Sequence, residues 1–586
     1  MDPATRWLAP AWETLPLAAR RCRVRNPLND VVQELSADQH AVLTACEGCC
    51  TLDAHAAQVQ ARLSLHDEAL ATARNWLAQF ANVGLLVPLA TLVARFAAPA
   101  EANVAPFAGV FVRTCDRPAL LARVLASAVA LESRCGSRYR YSILDDSRVA
   151  ANRDANRAIV AASGLDAVHL DLAGDPAMLR ELRHAFPGQH ATLDWLFGAS
   201  GGDATTYGRP LNLALLLTAG QRLLLLDDDA ALDARAPPVA APGLEVSSAG
   251  DELFWFPDDG TMDRACAPLD VDPVAAHLAM LGMPLAVAWP RLCGDAGLPA
   301  ALELDAADAW RFAPDARILA TQNHVVGDPG SSLFPYHLLS LSRASRETLE
   351  RTPGWAESAF QRRENWRGLF RTRLTPNRPL TLTTLCGLDN SHLLPPTVRE
   401  HRNEDLLLGD VCRRVHPAGW TLDLAFALPH RRAPAKRWLD VGASLPQEPV
   451  HFLLDYLDRA VATIDSEAPA PRLLRVAAAL LDLSEASDAR IAECLEQQAA
   501  DTSSRARFAI AEQLDDPEVS SAWKDALHPW LASPTLSTDP GVLRSRVVAP
   551  AHLRDLAGRY GRALVVWPEL WTWAARRNGA TAARST

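Results

Sequence analysis

The stretch RLLLLDDDA, Arg222 to Ala230, sets four consecutive leucines directly against three consecutive aspartates. A short apolar run bounded by turn residues reads as a buried strand, here entered through Gly220 and Gln221. The carboxylates then emerge where that strand ends. Three adjacent anions repel one another, at a cost of roughly 1 kcal/mol per pair at 4 Å even in bulk water and more in less polar surroundings. A cation is therefore expected to come to them.

The segments around this strand alternate in period. GVFVR is a short apolar strand, and Pro118 fits the first turn of a helix whose buried side includes Leu121, Val124 and Leu125. YRYSIL alternates as a strand and runs into Asp145, Asp146 and Ser147; GRPLNLALLLTAG reads as a helix. Such alternation implies an α/β domain with a largely parallel sheet covered by helices, and ligands at the carboxyl ends of the strands. Its expected span is 106–436, with 231–300 as an insertion of loops and one helix.

At 586 residues the chain is too long for one core, since domains run to roughly 100–200 residues. Residues 1–20 read as an N-terminal extension. From 21 to 90, NPLNDVVQEL gives a turn and an extended segment, and Ser36 with Gln39 has the spacing of a capping box. A second helix is expected near Leu52 and a third through Leu70, Ala73, Leu77 and Phe80; NVGLLVP then forms a glycine turn and short strand. This is a small winged-helix pattern. The alanine- and proline-rich residues 91–105 read as a linker, and 437–586 as a helical region whose VVWPELWTW tryptophans belong to a core.

Composition narrows the function classes. A net charge of −11 disfavours a nucleic-acid partner bound over a broad surface. The longest apolar tract, LNLALLLTAGQRLLLL, is interrupted by Gly220, Gln221 and Arg222 and falls short of the roughly 20 residues that a membrane span needs. No basic start followed by an apolar run marks a secretory signal, so a cytoplasmic location is expected. Eleven cysteines without paired spacing read as reduced thiols, and CEGCC, Cys46 to Cys50, as a helix end and turn.

The acids recur in order along the chain. Arg113, Asp116 and Arg117 follow the first strand in RTCDRP, Asp145 and Asp146 end the second in LDDSR, Asn212 lies in the helix NLALLLTAG, and Asp227, Asp228 and Asp229 follow the strand LLLL. Glu404 and Asp405 appear later, in LLPPTVREHRNEDLLLG. This order, with the seven-residue step from Gly220 to Asp227, resembles the GT-A glycosyltransferases of the family 2 type. The residues NPLNDVVQELSADQHAVLTACEG and FANVGLLVP resemble the PqqD-like winged-helix domain that holds peptides by strand addition.

The first resemblance implies a metal-dependent glycosyltransferase that moves a sugar from a nucleotide-diphosphate donor to an acceptor hydroxyl, with inversion following from a carboxylate base. Asp145 or Asp146 would hold the base or ribose, with Arg113, Arg117, Asn212, Asp227 and Asp228 also near the nucleotide. Asp227 and Asp229 would be the D-x-D pair that binds Mn2+ or Mg2+. Asp405 would be the general base, with Glu404 beside it, and His430 a late metal ligand for which His416 and His401 compete. The second resemblance implies a peptide or protein acceptor. Competing readings are nucleotidyl transfer on the same fold and a non-catalytic peptide-binding scaffold. Glu404 and Asp405 also have a plain role, as acids in the first turn of a helix.

Overall fold

The chain is described by a computed structural model over residues 2–17, 20–96, 103–174, 176–198, 206–248, 250–294, 302–305, 308–328, 341, 343–355, 364–376, 384–431, 448–461, 468–546 and 548–585. In the N-terminal unit, strands Glu13–Leu17, Arg21–Arg25 and Val32–Ser36 form an antiparallel meander. Helices Ala37–Thr44, Leu52–Leu63 and Asp67–Val83 follow. The capping box forms as its spacing predicts: Gln39 N donates to Ser36 Oγ at 3.2 Å and Ser36 N to Gln39 Oε1 at 3.0 Å.

Two boundaries differ from expectation. Residues 1–20 are no extension, because Arg6–Leu8 pairs with both Cys49–Thr51 and Val87–Pro88, and Glu13–Leu17 is an outer strand of the meander. The start of the expected linker is a helix, Leu89–Val93. Leu89, Leu92 and Phe96 recur at helical spacing and are buried, Phe96 lying 5.7 Å from Trp289 and 5.2 Å from Phe312 between ring centres. In CEGCC the helix ends at Thr44 and Cys49 begins a strand; burial pushes the Cys46 and Cys49 thiols up to about 12.

The rest of the chain is mixed α/β around one large sheet, twelve-stranded among the described residues. Strands Asp166–Asp171, Arg140–Asp145, Phe107–Thr114 and Gln221–Asp227 lie side by side in that order and run parallel. Leu385–Asn390 is antiparallel to the last of these; Arg317–Gly327 and Gly419–His430 follow, parallel to each other. The 231–300 segment extends this sheet instead of looping away from it. Leu244 and Val246 alternate with Glu245, a period of two, and their strand pairs with Thr372–Pro376 and Leu302–Leu304. The segment also holds the strand Glu252–Trp255 and three helices, Asp259–Ala265, Pro273–Leu278 and Leu285–Cys293.

All four leucines of the opening stretch are fully buried, on alternate faces. Leu224 and Leu226 pack with Val110, Val112 and the helix Pro118–Cys135. Leu223 and Leu225 share a core with helices of the C-terminal region, Pro449–Ala460, Pro469–Glu485 and Pro550–Ser585. The last helix is pinned by its polar tips: Tyr560 Oη donates to Pro396 O at 2.9 Å, Trp567 Nε1 to Leu394 O at 2.6 Å and Trp571 Nε1 to Asn390 Oδ1 at 2.8 Å. No described helix is long and apolar enough to cross a membrane.

Trp567 is fully buried, so Trp567→Ala removes a large core side chain and leaves the Leu394 carbonyl without its donor. The expected loss is about 3–5 kcal/mol, read as a lower urea midpoint. An unchanged midpoint would mean that the last helix is not part of the sheet's core.

Candidate functional site

The chain leaves the strand Phe107–Thr114, adds two strands on one side of it, then returns to lay Gln221–Asp227 on the other. In open α/β sheets such a reversal, at the carboxyl ends of the two central strands, is where a ligand crevice is expected. Register sets Arg113 opposite Asp227 at this point.

The strand stops at Asp227, and Asp228 and Asp229 lie in a turn. Continued extension would set carboxylates 227 and 229 on one side; the turn gives the three acids different partners. Asp227 Oδ1 accepts from Arg113 Nε at 3.0 Å and from a terminal nitrogen of the same guanidinium at 2.6 Å. Asp228 accepts from Thr114 Oγ1 at 2.7 Å and pairs with Arg117 at 2.6 Å. Asp229 pairs with Arg117 at 3.0 Å and meets His430 Nε2 at 2.8 Å. Two arginines thus supply part of the expected positive charge. Burial pushes the Asp228 carboxyl up to about 7, against the pull of Arg117.

Asp229 and His430 bear on the metal expectation. Nδ1 of His430 faces the Asp328 carbonyl, which makes it the donor and leaves Nε2 directed at Asp229. A carboxylate oxygen beside an imidazole nitrogen is a donor pair that Mn2+ accepts. The fit extends to these two residues: among the described residues no group of three or more His, Cys, Asp or Glu is arranged to hold a metal ion. Asp227 is engaged by Arg113, and His416 and His401 lie elsewhere. His416 Nε2 meets the Leu393 carbonyl at 2.7 Å, and burial lowers its pKa to about 4; His401 faces His552.

Glu404 and Asp405 open the helix Glu404–Val415, so their dipole-complementing position and their place in the crevice coincide. Arg113 reaches Glu404 Oε1 at 3.2 Å while holding Asp227, and Thr397 Oγ1 donates to the Glu404 carbonyl at 2.6 Å. Burial, then repulsion from Asp405, raises the Glu404 pKa; burial raises that of Asp405; Arg113 opposes both shifts.

The remaining expected residues are firmly held. Asp145 is fully buried and accepts from His169 Nε2 at 2.8 Å, Ser147 N at 3.0 Å and Asn156 Nδ2 at 3.0 Å; against burial, these bonds keep its carboxyl below the usual range. Asp146 pairs with Arg209 at 2.5 Å. Asn212 is buried with its amide closed on Thr397, donating to the carbonyl at 2.9 Å and accepting from the N–H at 2.8 Å. It therefore anchors the segment that leads to Glu404. Asp116 accepts from Val149 N at 3.0 Å and Asn152 Nδ2 at 3.1 Å, which fastens the turn bearing Arg117.

Sequence reasoning missed Thr114, Ser147, Asn156, His169 and Arg209. Arg209 is buried and also donates to Phe197 O at 2.7 Å. Its signal was the one charged residue in a largely apolar helix, Gly208–Leu217. Burying such a charge requires a partner, and Asp146 is that partner.

The Asp228 shift has a definite sign. Because its folded pKa lies above the ordinary 3.8, its contribution to stability is fully present below about pH 4 and is lost as pH rises through about 7. Asp228→Asn keeps an acceptor for Thr114 without the charge. The variant's melting temperature, relative to wild type, is expected to improve between pH 5 and pH 8. A difference that stays constant over that window would show that Asp228 does not titrate there.

Comparison of the chain with family models, with curated proteins and with solved structures finds no match.

Proposed function

We propose that the chain is a metal-dependent glycosyltransferase, moving a sugar from a nucleotide-diphosphate donor to an acceptor hydroxyl with inversion at the anomeric carbon, on a domain of the GT-A kind. The observation that carries this reading is the shared guanidinium of Arg113. It joins Asp227, at the end of the leucine strand, to Glu404, which lies 291 residues after Arg113 itself, at the strand reversal. Two acidic groups with separate tasks are what displacement at an anomeric carbon requires.

Asp229 and His430 would hold Mn2+ or Mg2+, which supplies positive charge to the departing diphosphate. Arg117, half-exposed between Asp228 and Asp229, adds a second positive group on that side. Asp405 takes the proton from the acceptor hydroxyl as its oxygen bonds to the anomeric carbon. A carboxylate whose pKa is raised is a better base than an ordinary one. Glu404, held by Arg113, sets the field around it. Asp145, Asp146 and Asn212 shape the nucleotide side through the buried bonds described above.

A peptide acceptor is part of the proposal. Among the described residues Val32–Ser36 pairs on one side only, and Val32 is exposed; on the opposite edge, Pro16 removes a backbone donor. The edge at Val32–Ser36 is accordingly the one able to accept another strand.

Calorimetric titration with a panel of nucleotide-diphosphate sugars, with and without Mn2+, tests the reading. One donor is expected to bind in a Mn2+-dependent way, and Asp227→Ala/Asp229→Ala to abolish that binding. Asp405→Asn is expected to retain donor binding and lower transfer by about 10²–10⁴-fold. Full turnover in Asp405→Asn would remove it from the mechanism, and absence of donor binding under every condition would overturn the proposal.

A further inference from the structure

The loop entering the Glu404–Val415 helix meets the start of the C-terminal helix at two histidines. His401 and His552 lie 151 residues apart in sequence, with Nε2 atoms 3.1 Å apart, ring centres 5.0 Å apart and ring planes at 80°. As a hydrogen bond, this contact needs one ring to donate and the other to accept, and it is lost when both are protonated. The same geometry suits a metal ion. Two imidazole nitrogens on a tetrahedral zinc, each at 2.0–2.1 Å, lie about 3.3 Å apart. A small opening of the observed pair would admit one.

Other features of the loop agree. His401 has φ 75° and Asn403 φ 66°. A left-handed backbone at a residue such as histidine persists only where the surroundings hold it, so the loop fixes where the His401 ring stands. Burial, and then His552, lowers the His401 pKa, with Glu400 and Glu448 opposing the shift. His552 is exposed, which gives an ion and its waters access. Among the described residues no group of three or more His, Cys, Asp or Glu is arranged to hold a metal ion, so the pair offers two protein ligands there. Imidazole favours zinc, nickel and copper over the magnesium and manganese that carboxylates prefer, so this site differs in chemistry from Asp229.

We propose that His401 and His552 form a two-histidine clip for a transition-metal ion of the Zn2+, Ni2+ or Cu2+ class, tying the C-terminal helix to the loop that leads to Glu404 and Asp405. The clip is independent of the sugar-transfer reading.

Calorimetric titration of the full chain, free of any histidine tag, with ZnSO4 at neutral pH tests it. The variants are His401→Asn, which suits a left-handed backbone, and His552→Gln, on the exposed face of a helix; circular dichroism checks that both are folded. Wild type is expected to bind one Zn2+ that excess Mg2+ does not displace. Each variant should weaken binding by at least the tenfold that loss of an outer-shell partner already costs, and the double variant should add little. Zn2+ should also raise the melting temperature of wild type and of neither variant. Absence of zinc binding in wild type, equal binding in folded single variants, or loss in one variant alone would overturn the clip.

Discussion

Burial of one strand on both of its faces organises this molecule. Leu223 through Leu226 are wholly removed from water, and each fully buried leucine contributes roughly 1.5–3 kcal/mol relative to an exposed one. Alternation sends two to each side, so a layer must stand on each side. Pro118–Cys135 supplies part of one layer soon after the first strand, whereas helices beyond residue 448 supply much of the other. The C-terminal helices are therefore a structural layer of the sheet domain. Trp567 and Tyr560 also donate to the carbonyls of Leu394 and Pro396, just before the loop that carries His401 and leads to Glu404.

The same strand delivers its carboxylates to a place where water is scarce, and charge must then be matched locally. Arg113 stands opposite Asp227 by strand register, and Arg117 follows in the next turn. Removing one partner from such a buried pair leaves the other uncompensated, which costs more than the pair contributes. The crevice is consequently a coupled set: Asp227, Arg113 and Glu404 on one side, Asp228, Asp229, Arg117 and His430 on the other. Raised carboxyl pKa values at Asp228, Glu404 and Asp405 come first from desolvation, with the arginines limiting the shift.

Local signals were legible where a short-range rule decides structure. The Ser36–Gln39 box, the Pro118 start and the strand at Leu223–Leu226 depend on neighbouring residues alone. Errors fell where a segment's burial is set by distant chain. Leu92 and Phe96 are core because Trp289 and Phe312 lie over them, and Leu244–Val246 is a sheet strand because residues 302–304 and 372–376 flank it. The hydrogen-bond partner of Asn212 is equally remote in sequence, since Thr397 is 185 residues away.

The sequence by itself determined the alternation of strands and helices, the acids at the strand ends and the extended segment followed by three helices in residues 21–90, because period and turn chemistry act over a few residues. Tertiary structure alone decided which acids meet which bases. Arg113 bridges Asp227 and Glu404, Arg209 is buried against Asp146, and His401 faces His552, all across more than 60 residues of chain. Such pairings depend on strand register and on which helix covers which face, and only the packed sheet sets these.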